Sequence, residues 1–297
     1  MSNKKRLCLA DSVTYAVFDV ILMAIFMIVA YPLILVVSSS FSSSAAVVTG
    51  RVKFLPVEPT LLGYETVFRT GKVWLGYLNS FYYMVLGTAI NIVMTCLAAY
   101  PLSRSDLRGG NMIMGIFTFT MFFSGGLIPS FLLVSQLKLM NTVWAMVLPG
   151  AISVYNMILA RTYFRNSIPL ELLEASQMDG CNNTRFILSV VIPLSKPILA
   201  VLLLYYAVGH WNSYMNALLY LSDSSKYPLQ IVLRDILMLT QVDLSEALDM
   251  EMLVKQQEIA TLMKYSLIIV ASVPVLIAYP FVQKYFVKGV MIGSLKG

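Results

Sequence analysis

The sequence predicts an all-α integral membrane protein with six transmembrane helices and one short helix in a cytoplasmic loop. Three observations lead to this fold class: the composition, the length of the apolar stretches and the pattern of charge in the loops. Of the 297 residues, 58% are hydrophobic and only 12% are charged. Soluble domains carry about 25% charged residues, so this composition indicates a chain that lies mostly in a membrane.

A membrane-spanning helix needs about 20 mostly apolar residues, and six stretches qualify or come close. The predicted spans are approximately residues 14–37, 74–102, 110–134, 142–162, 196–220 and 264–286. Apart from Tyr and Cys, His210 is the only ionisable side chain in their apolar cores. The N-terminus resembles the basic region of a signal peptide, but no A-x-A-like cleavage site follows, which predicts an uncleaved first span.

An even number of spans places both termini on the same side, and the basic residues favour the cytoplasm for that side. This orientation puts 12 of the 21 Lys and Arg residues inside, mostly in short loops near span ends, where they determine orientation. The net charge of +6 is therefore attributed to cytoplasmic loops and not to nucleic-acid binding. Three distant cysteines, Cys8, Cys96 and Cys181, predict packing rather than a metal or redox motif.

Two outer loops are predicted. The first contains the run SSSFSSS, interpreted as a polar exit from the first span. The second covers residues 223–264, and its apolar residues Leu229, Val232, Leu233, Ile236 and Leu237 recur at helical spacing.

The cytoplasmic loop, residues 166–195, contains a short acidic helix. Asn166 or Ser167 is predicted to cap this helix, Pro169 to occupy its first position, and Gly180 to end it in the left-handed conformation. One side carries Glu171, Glu174 and Gln177, and the other carries Leu172, Leu173, Ala175 and Ser176. Helices that lie on lipid normally have a basic polar face. The acidic face therefore favours a protein partner, with a purely structural helix as the alternative.

The residues of this loop resemble a known family. The segment EASQMDG (Glu174–Gly180), followed by VVIPLSKP (Val190–Pro197), resembles the EAA loop of ATP-binding-cassette (ABC) importer permeases, with Ser176 in place of the second Ala. Other segments are similar to maltose-type carbohydrate permeases, in particular the branch for complex sugars and alginate oligosaccharides: AAYPLSRS (Ala98–Ser105), FFSGGLIPSFLLV (Phe122–Val134), YAVGHWNSYMNALLYL (Tyr206–Leu221) and YFVKGVMIGSLKG (Tyr285–Gly297).

The resemblance implies one transmembrane domain over residues 1–297 with the type I ABC importer permease fold. It implies an importer for a carbohydrate, in particular an oligosaccharide, in the cytoplasmic (inner) membrane of a bacterium. A permease for a non-sugar solute is the alternative. In the family the loop is a coupling helix that enters a cleft of a separate ATPase. An ATPase-coupling role is thereby implied for Glu171, Glu174, Ala175, Ser176, Asp179 and Gly180.

The implied partners are a homologous second permease, two ATPase subunits, an extracytoplasmic solute-binding protein and the surrounding lipids. The chain has no G-x-x-x-x-G-K-[ST] loop for phosphates. ATP and Mg are therefore expected to be used by the partner ATPase, and neither a cofactor nor an enzymatic activity is expected of this chain.

The fifth predicted span carries many polar residues for a membrane helix. Five residues share one face if the helix is continuous, with spacings of 4, 3, 4 and 4: Tyr205, Gly209, Asn212, Asn216 and Tyr220. Polar groups in a bilayer face the bundle interior and often mark a pathway. This stripe, together with His210, is the candidate substrate path, although His210 alone predicts an interhelical hydrogen bond. One membrane histidine and no evident repeat disfavour a secondary transporter and a membrane-embedded enzyme.

Overall fold

The computed structural model describes residues 9–239 and 250–294, and every regular element within them is helical. The chain divides into two compact units. The first combines Met1–Thr70 with Leu233–Ala271, and the second combines Gly71–Val232 with Ser272–Gly297.

The first unit begins with the long helix α1 (Leu9–Ser40), followed by α2 (Ser44–Val48) and α3 (Leu62–Arg69). The predicted polar exit differs from the structure, because α1 continues into the serine run and the serines are mostly buried. Ser42 Oγ donates to the carbonyl of Ser38 at 2.6 Å and accepts from the amide of Val57 at 3.0 Å. The serines therefore satisfy backbone groups inside a folded loop.

The second unit is built around α4 (Gly71–Ser103), which packs against α8 and α12. The remaining helices are α5 (Gly110–Phe122), α6 (Leu127–Gln136), α7 (Val143–Val147), α8 (Val154–Ser167), α9 (Leu170–Met178), α10 (Asn183–Phe186), α11 (Ile192–Leu194), α12 (Lys196–Trp211), α13 (Met215–Tyr220) and α14 (Leu229–Leu239). A π-helical turn, Ile187–Val191, precedes α11, and a 3₁₀ turn, Ser224–Lys226, precedes α14.

The last helix, α15 (Met250–Ser294), runs through parts of both units. The helical spacing predicted at residues 229–237 is confirmed by α14. The second outer loop is therefore largely helical over its described part, whereas residues 240–249 lie outside the described residues.

The predicted count of six spans is not confirmed. Three described segments are long and apolar enough to cross a membrane: Thr14–Ser40, Gly71–Ser103 and Gln257–Pro280. Two further candidates are bent pairs, α5 with α6 at 112° and the segment Asn183–Leu194 with α12 at 83°. The predicted span 142–162 is interrupted between α7 and α8, where Pro149 and Gly150 stand.

A large core cluster joins α4, α8, α9, α10 and α12. Its members include Tyr100 from α4, Phe164 from α8, Leu173 from α9, Phe186 from α10 and Tyr206 from α12. The short helix of the cytoplasmic loop is therefore packed into the same core as the long apolar helices.

The packing of α4 against α12 requires a glycine at position 87. A Cβ atom at Gly87 would lie 2.4 Å from two ring atoms of His210. Real Cβ atoms do not approach other atoms this closely, so any larger residue displaces the imidazole or the helix.

We expect the substitution Gly87→Ala to destabilise the protein by about 1–3 kcal/mol, the usual effect of overpacking a filled core. Thermal unfolding in detergent measures this change. The matched control is Gly115→Ala in α5, where no atom lies within 4 Å of the added Cβ. Alanine is a better helix former than glycine by about 1 kcal/mol, so the control keeps or raises stability. Equal stability of the two variants would contradict the packing argument.

Candidate functional site

The acidic helix α9 ends as the sequence predicts but begins later. Gly180 has φ +73°, and the amide of Cys181 donates to the carbonyl of Ser176 at 2.9 Å, which closes the last turn. The predicted cap is wrong, because Ser167 is the last residue of α8. Pro169 is the N-cap rather than the first helical residue, and no side chain caps the first turn.

The side of α9 that packs on the protein is narrower than predicted. Leu173 is only 7% exposed and belongs to the core cluster, and Ser176 beside it is half-buried. Leu172 and Ala175 are exposed, so their predicted place on the packed side is wrong. The exposed surface of α9 therefore combines small and apolar residues with the carboxylates of Glu171, Glu174 and Asp179.

The predicted stripe of the fifth span does not lie on one continuous helix. Helix α12 ends at Trp211, Asn212 is its C-cap, and α13 starts at Met215. The amide of Ser213 donates to the carbonyl of His210 at 3.1 Å, a turn that breaks the helical face. A spacing of 4, 3, 4 and 4 describes one face only while the helix continues.

The break separates the stripe into two groups. Tyr205, Gly209 and Asn212 are exposed on the C-terminal half of α12, and the Oδ1 atom of Asn212 accepts from Gln230 Nε2 at 3.4 Å. Asn216 is half-buried on α13. Tyr220 is 4% exposed and stacks on Phe131, with 6.4 Å between ring centroids, so it is a packing residue.

His210 makes the interhelical hydrogen bond that the sequence predicts for it. Its Nε2 atom lies 2.6 Å from Oδ1 of Asn91 on α4. The Nδ2 atom of Asn91 donates to the carbonyls of Gly150 (2.6 Å) and Ala151 (3.0 Å), between α7 and α8. Since the amide nitrogen is the donor, the amide oxygen accepts, and Nε2 of His210 carries a proton.

A second pair lies one turn further along the same two helices. The hydroxyls of Thr95 and Tyr206 are 2.6 Å apart, and Tyr206 Oη also accepts from the amide of Ser153 at 3.3 Å. We call Gly87, Asn91, Thr95, Tyr206 and His210 the polar seam. Asn91 and Thr95 are fully buried, and Tyr206 is 6% exposed. The seam therefore joins α4, α12 and the segment between α7 and α8 by hydrogen bonds out of contact with solvent.

Sequence reasoning missed three members of the seam, Asn91, Thr95 and Tyr206. The available signal was the spacing of Gly87, Asn91 and Thr95, which recur every four residues and so share one face of an otherwise apolar helix.

Comparisons with known proteins agree with this architecture. The profile of the family described as "Binding-protein-dependent transport system inner membrane component" matches residues 73–292. A polygalacturonan/rhamnogalacturonan transport system permease protein of Bacillus subtilis (strain 168) is 41% identical over 269 residues, which cover 90% of this chain and 92% of the relative. Protein LplC of the same organism is 37% identical, with 90% of this chain and 89% of that protein covered.

A solved structure is also similar. A chain from the crystal structure of a bacterial ABC transporter involved in the import of the acidic polysaccharide alginate superimposes with a TM-score of 0.85 and 34% identity. The match covers 95% of this chain and 100% of the other. This chain belongs to the family of binding-protein-dependent transport system inner membrane components, the permeases of ABC transporters.

Proposed function

We propose that this chain is the transmembrane subunit of an ATP-driven importer that moves a carbohydrate, in particular an oligosaccharide, by alternating access. The observation that carries the proposal is the construction of α9. It exposes acidic side chains, ends at a left-handed glycine, and is anchored by one buried leucine in the core of the apolar helices. The names of the relatives, a polygalacturonan/rhamnogalacturonan permease and an alginate transporter, support a carbohydrate as the transported solute.

The proposed complex contains a homologous second permease, two ATPase subunits and an extracytoplasmic solute-binding protein. ATP and Mg are used by the ATPase subunits, and this chain supplies the coupling surface and half of the channel. Both termini lie in the cytoplasm of a bacterium, which puts α9 on the side where ATP is hydrolysed. Glu171, Glu174, Ala175, Ser176, Asp179 and Gly180 form the coupling surface.

The physical reason for coupling through α9 lies in its anchorage. Nucleotide-driven closure of the ATPase dimer displaces α9, and Leu173 transmits the movement because its side chain is packed against the core. That core includes Tyr206, a member of the polar seam, so α12 moves with α9. The result is a change in access at the exposed polar residues of α12.

The proposed substrate path is lined by Tyr205, Gly209 and Asn212, with Asn216 at its edge. A tyrosine ring offers a flat apolar surface to a sugar, and asparagine both donates to and accepts from hydroxyl groups. His210 and Tyr220 take no part in binding, because His210 bonds to Asn91 and Tyr220 is buried in packing.

The first test uses Gly180, whose φ of +73° disfavours residues with a Cβ atom although no atom lies within 4 Å of that position. In Gly180→Val, a β-branched residue in this region stores about 1–3 kcal/mol of strain, which the end of α9 relieves by shifting. Uptake by the reconstituted complex in liposomes falls about tenfold, while membrane insertion is unchanged. Asparagine tolerates the left-handed region, so Gly180→Asn retains most uptake. Normal uptake by the valine variant would contradict the coupling role of α9.

The second test uses the double substitution Asn212→Ala with Asn216→Ala. Each lost hydrogen bond to a sugar hydroxyl weakens binding by about 0.5–1.5 kcal/mol. We expect the KM for uptake to rise about tenfold and the substrate-stimulated ATPase to fall with it. The control is Asn111→Ala, which removes an exposed amide from α5. Unchanged uptake and ATPase in the double variant would assign both residues a structural role.

A further inference from the structure

A cavity of about 240 Å³ lies beside the N-terminus of α9, and no role has been given to it so far. It is lined by the end of α4, the end of α8 and the first turn of α9, including Tyr100, Arg104, Arg165, Pro169 and Leu170. Pockets for drug-sized ligands measure about 300–1,000 Å³, so this cavity suits a smaller molecule.

The charges around the cavity are positive on balance. Arg104 donates from Nε to Asp106 Oδ1 and from Nη1 to Asn183 Oδ1, both at 2.8 Å. The hydrogen bond from Arg104 holds the pKa of Asp106 below its usual range, so this carboxylate stays ionised and compensates Arg104. Arg165 is exposed and has no ion pair with any residue in the described parts of the chain. Arg165 is therefore the cation that remains available for a ligand.

A buried hydroxyl on the cavity wall also lacks a partner. Tyr100 is 6% exposed, and its Oη atom makes no hydrogen bond with the described residues, although it lies close enough to Arg104 for an electrostatic interaction. A buried hydroxyl without a hydrogen bond costs about 1–3 kcal/mol. A ligand oxygen in the cavity would remove this penalty by accepting the Tyr100 proton.

The backbone around the cavity also favours an anion. The first amides of a helix have no intrahelical acceptor, and no side chain caps α9, where Pro169 is the N-cap. The positive end of the helix dipole is at this terminus. The carbonyls at the end of α4, which would repel an anion, are already engaged. Ser103 Oγ donates to Tyr100 O at 2.6 Å, and Arg161 Nε donates to Leu102 O at 2.8 Å.

We infer that this cavity binds a small oxyanion, the carboxylate or phosphate group of a ligand, through Arg165, the Tyr100 hydroxyl and the uncapped amides of α9. The cytoplasmic position of the cavity rests on the proposed function and its orientation. A ligand here joins α9 to α4 and α8, so its binding holds the coupling helix in one position and slows transport when the anion accumulates inside.

The test is calorimetric titration of the full importer complex in nanodiscs of neutral lipid. The probes are galacturonate, which carries a carboxylate, glucose 6-phosphate, which carries a phosphate, and galactose as the neutral comparison. We expect at least one anion to bind, with galactose at least tenfold weaker. Arg165→Gln and Tyr100→Phe each weaken anion binding about tenfold, since each loses one strong hydrogen bond. Arg108→Gln, an exposed arginine outside the cavity, leaves binding unchanged.

Nanodiscs with phosphatidylglycerol separate the two sources of the anion. If a lipid headgroup occupies the cavity, the soluble anions no longer bind there, and the anionic lipid raises the thermal midpoint of the wild type but not of Arg165→Gln. If a soluble ligand is the occupant, the lipid makes no difference to its binding.

Three results would overturn the inference. One is the absence of anion binding at millimolar concentration together with no effect of anionic lipid. Another is wild-type binding by both Arg165→Gln and Tyr100→Phe. The third is loss of the ATPase subunits from Arg165→Gln with anion binding unchanged, which would make Arg165 a subunit contact. Binding is measured without transport, so failure here leaves the proposed import activity standing, and failed import leaves this result readable.

Discussion

The hydrogen bonds of Asn91 hold together the second unit, because they meet a need that its backbone creates. The chain is not helical between α7 and α8, so carbonyls there lack helical partners, and such groups are costly in a membrane. Asn91 donates to the carbonyls of Gly150 and Ala151, and its own oxygen then needs a donor, which His210 supplies. The imidazole fits only because position 87 is a glycine. One unsatisfied loop thus explains an asparagine, a histidine and a glycine on two long helices.

The same arrangement gives α9 its mechanical connection. Tyr206 bonds to Thr95 in the polar seam and packs in the cluster that contains Leu173 of α9 and Tyr100 beside the anion cavity. Side chains in such clusters are close-packed, and packed cores transmit displacement instead of absorbing it. In the proposed importer, the ATPase acts on the exposed face of α9, and the substrate meets the exposed face of α12. The buried residues between these faces make them parts of one body.

The sequence predicted best what depends on neighbouring residues. The apolar runs gave the helical class, and Gly180 gave the end of α9, because both signals act within a few positions. The continuity of the helices was predicted poorly. A spacing rule treats residues 196–220 as one helix, whereas the turn after Trp211 interrupts it, and Gly126 with φ +84° lies at the bend between α5 and α6. The partners of buried polar groups are also distant in sequence. Asn91 is 59 residues from Gly150 and 119 from His210, so local patterns identify these polar residues without naming their contacts.

The central claim is that Leu173 connects α9 to the core that carries the substrate path. The most direct measurement is the number of substrate molecules imported per ATP hydrolysed by reconstituted complexes with Leu173→Ala. The exposed carboxylates of α9 remain in this variant, so ATP hydrolysis continues, while the cavity left by the leucine loosens the connection, and we predict a several-fold lower ratio. The control Leu188→Ala shortens a leucine in the same loop that is 61% exposed, and it keeps the wild-type ratio. A wild-type ratio in Leu173→Ala would contradict the account.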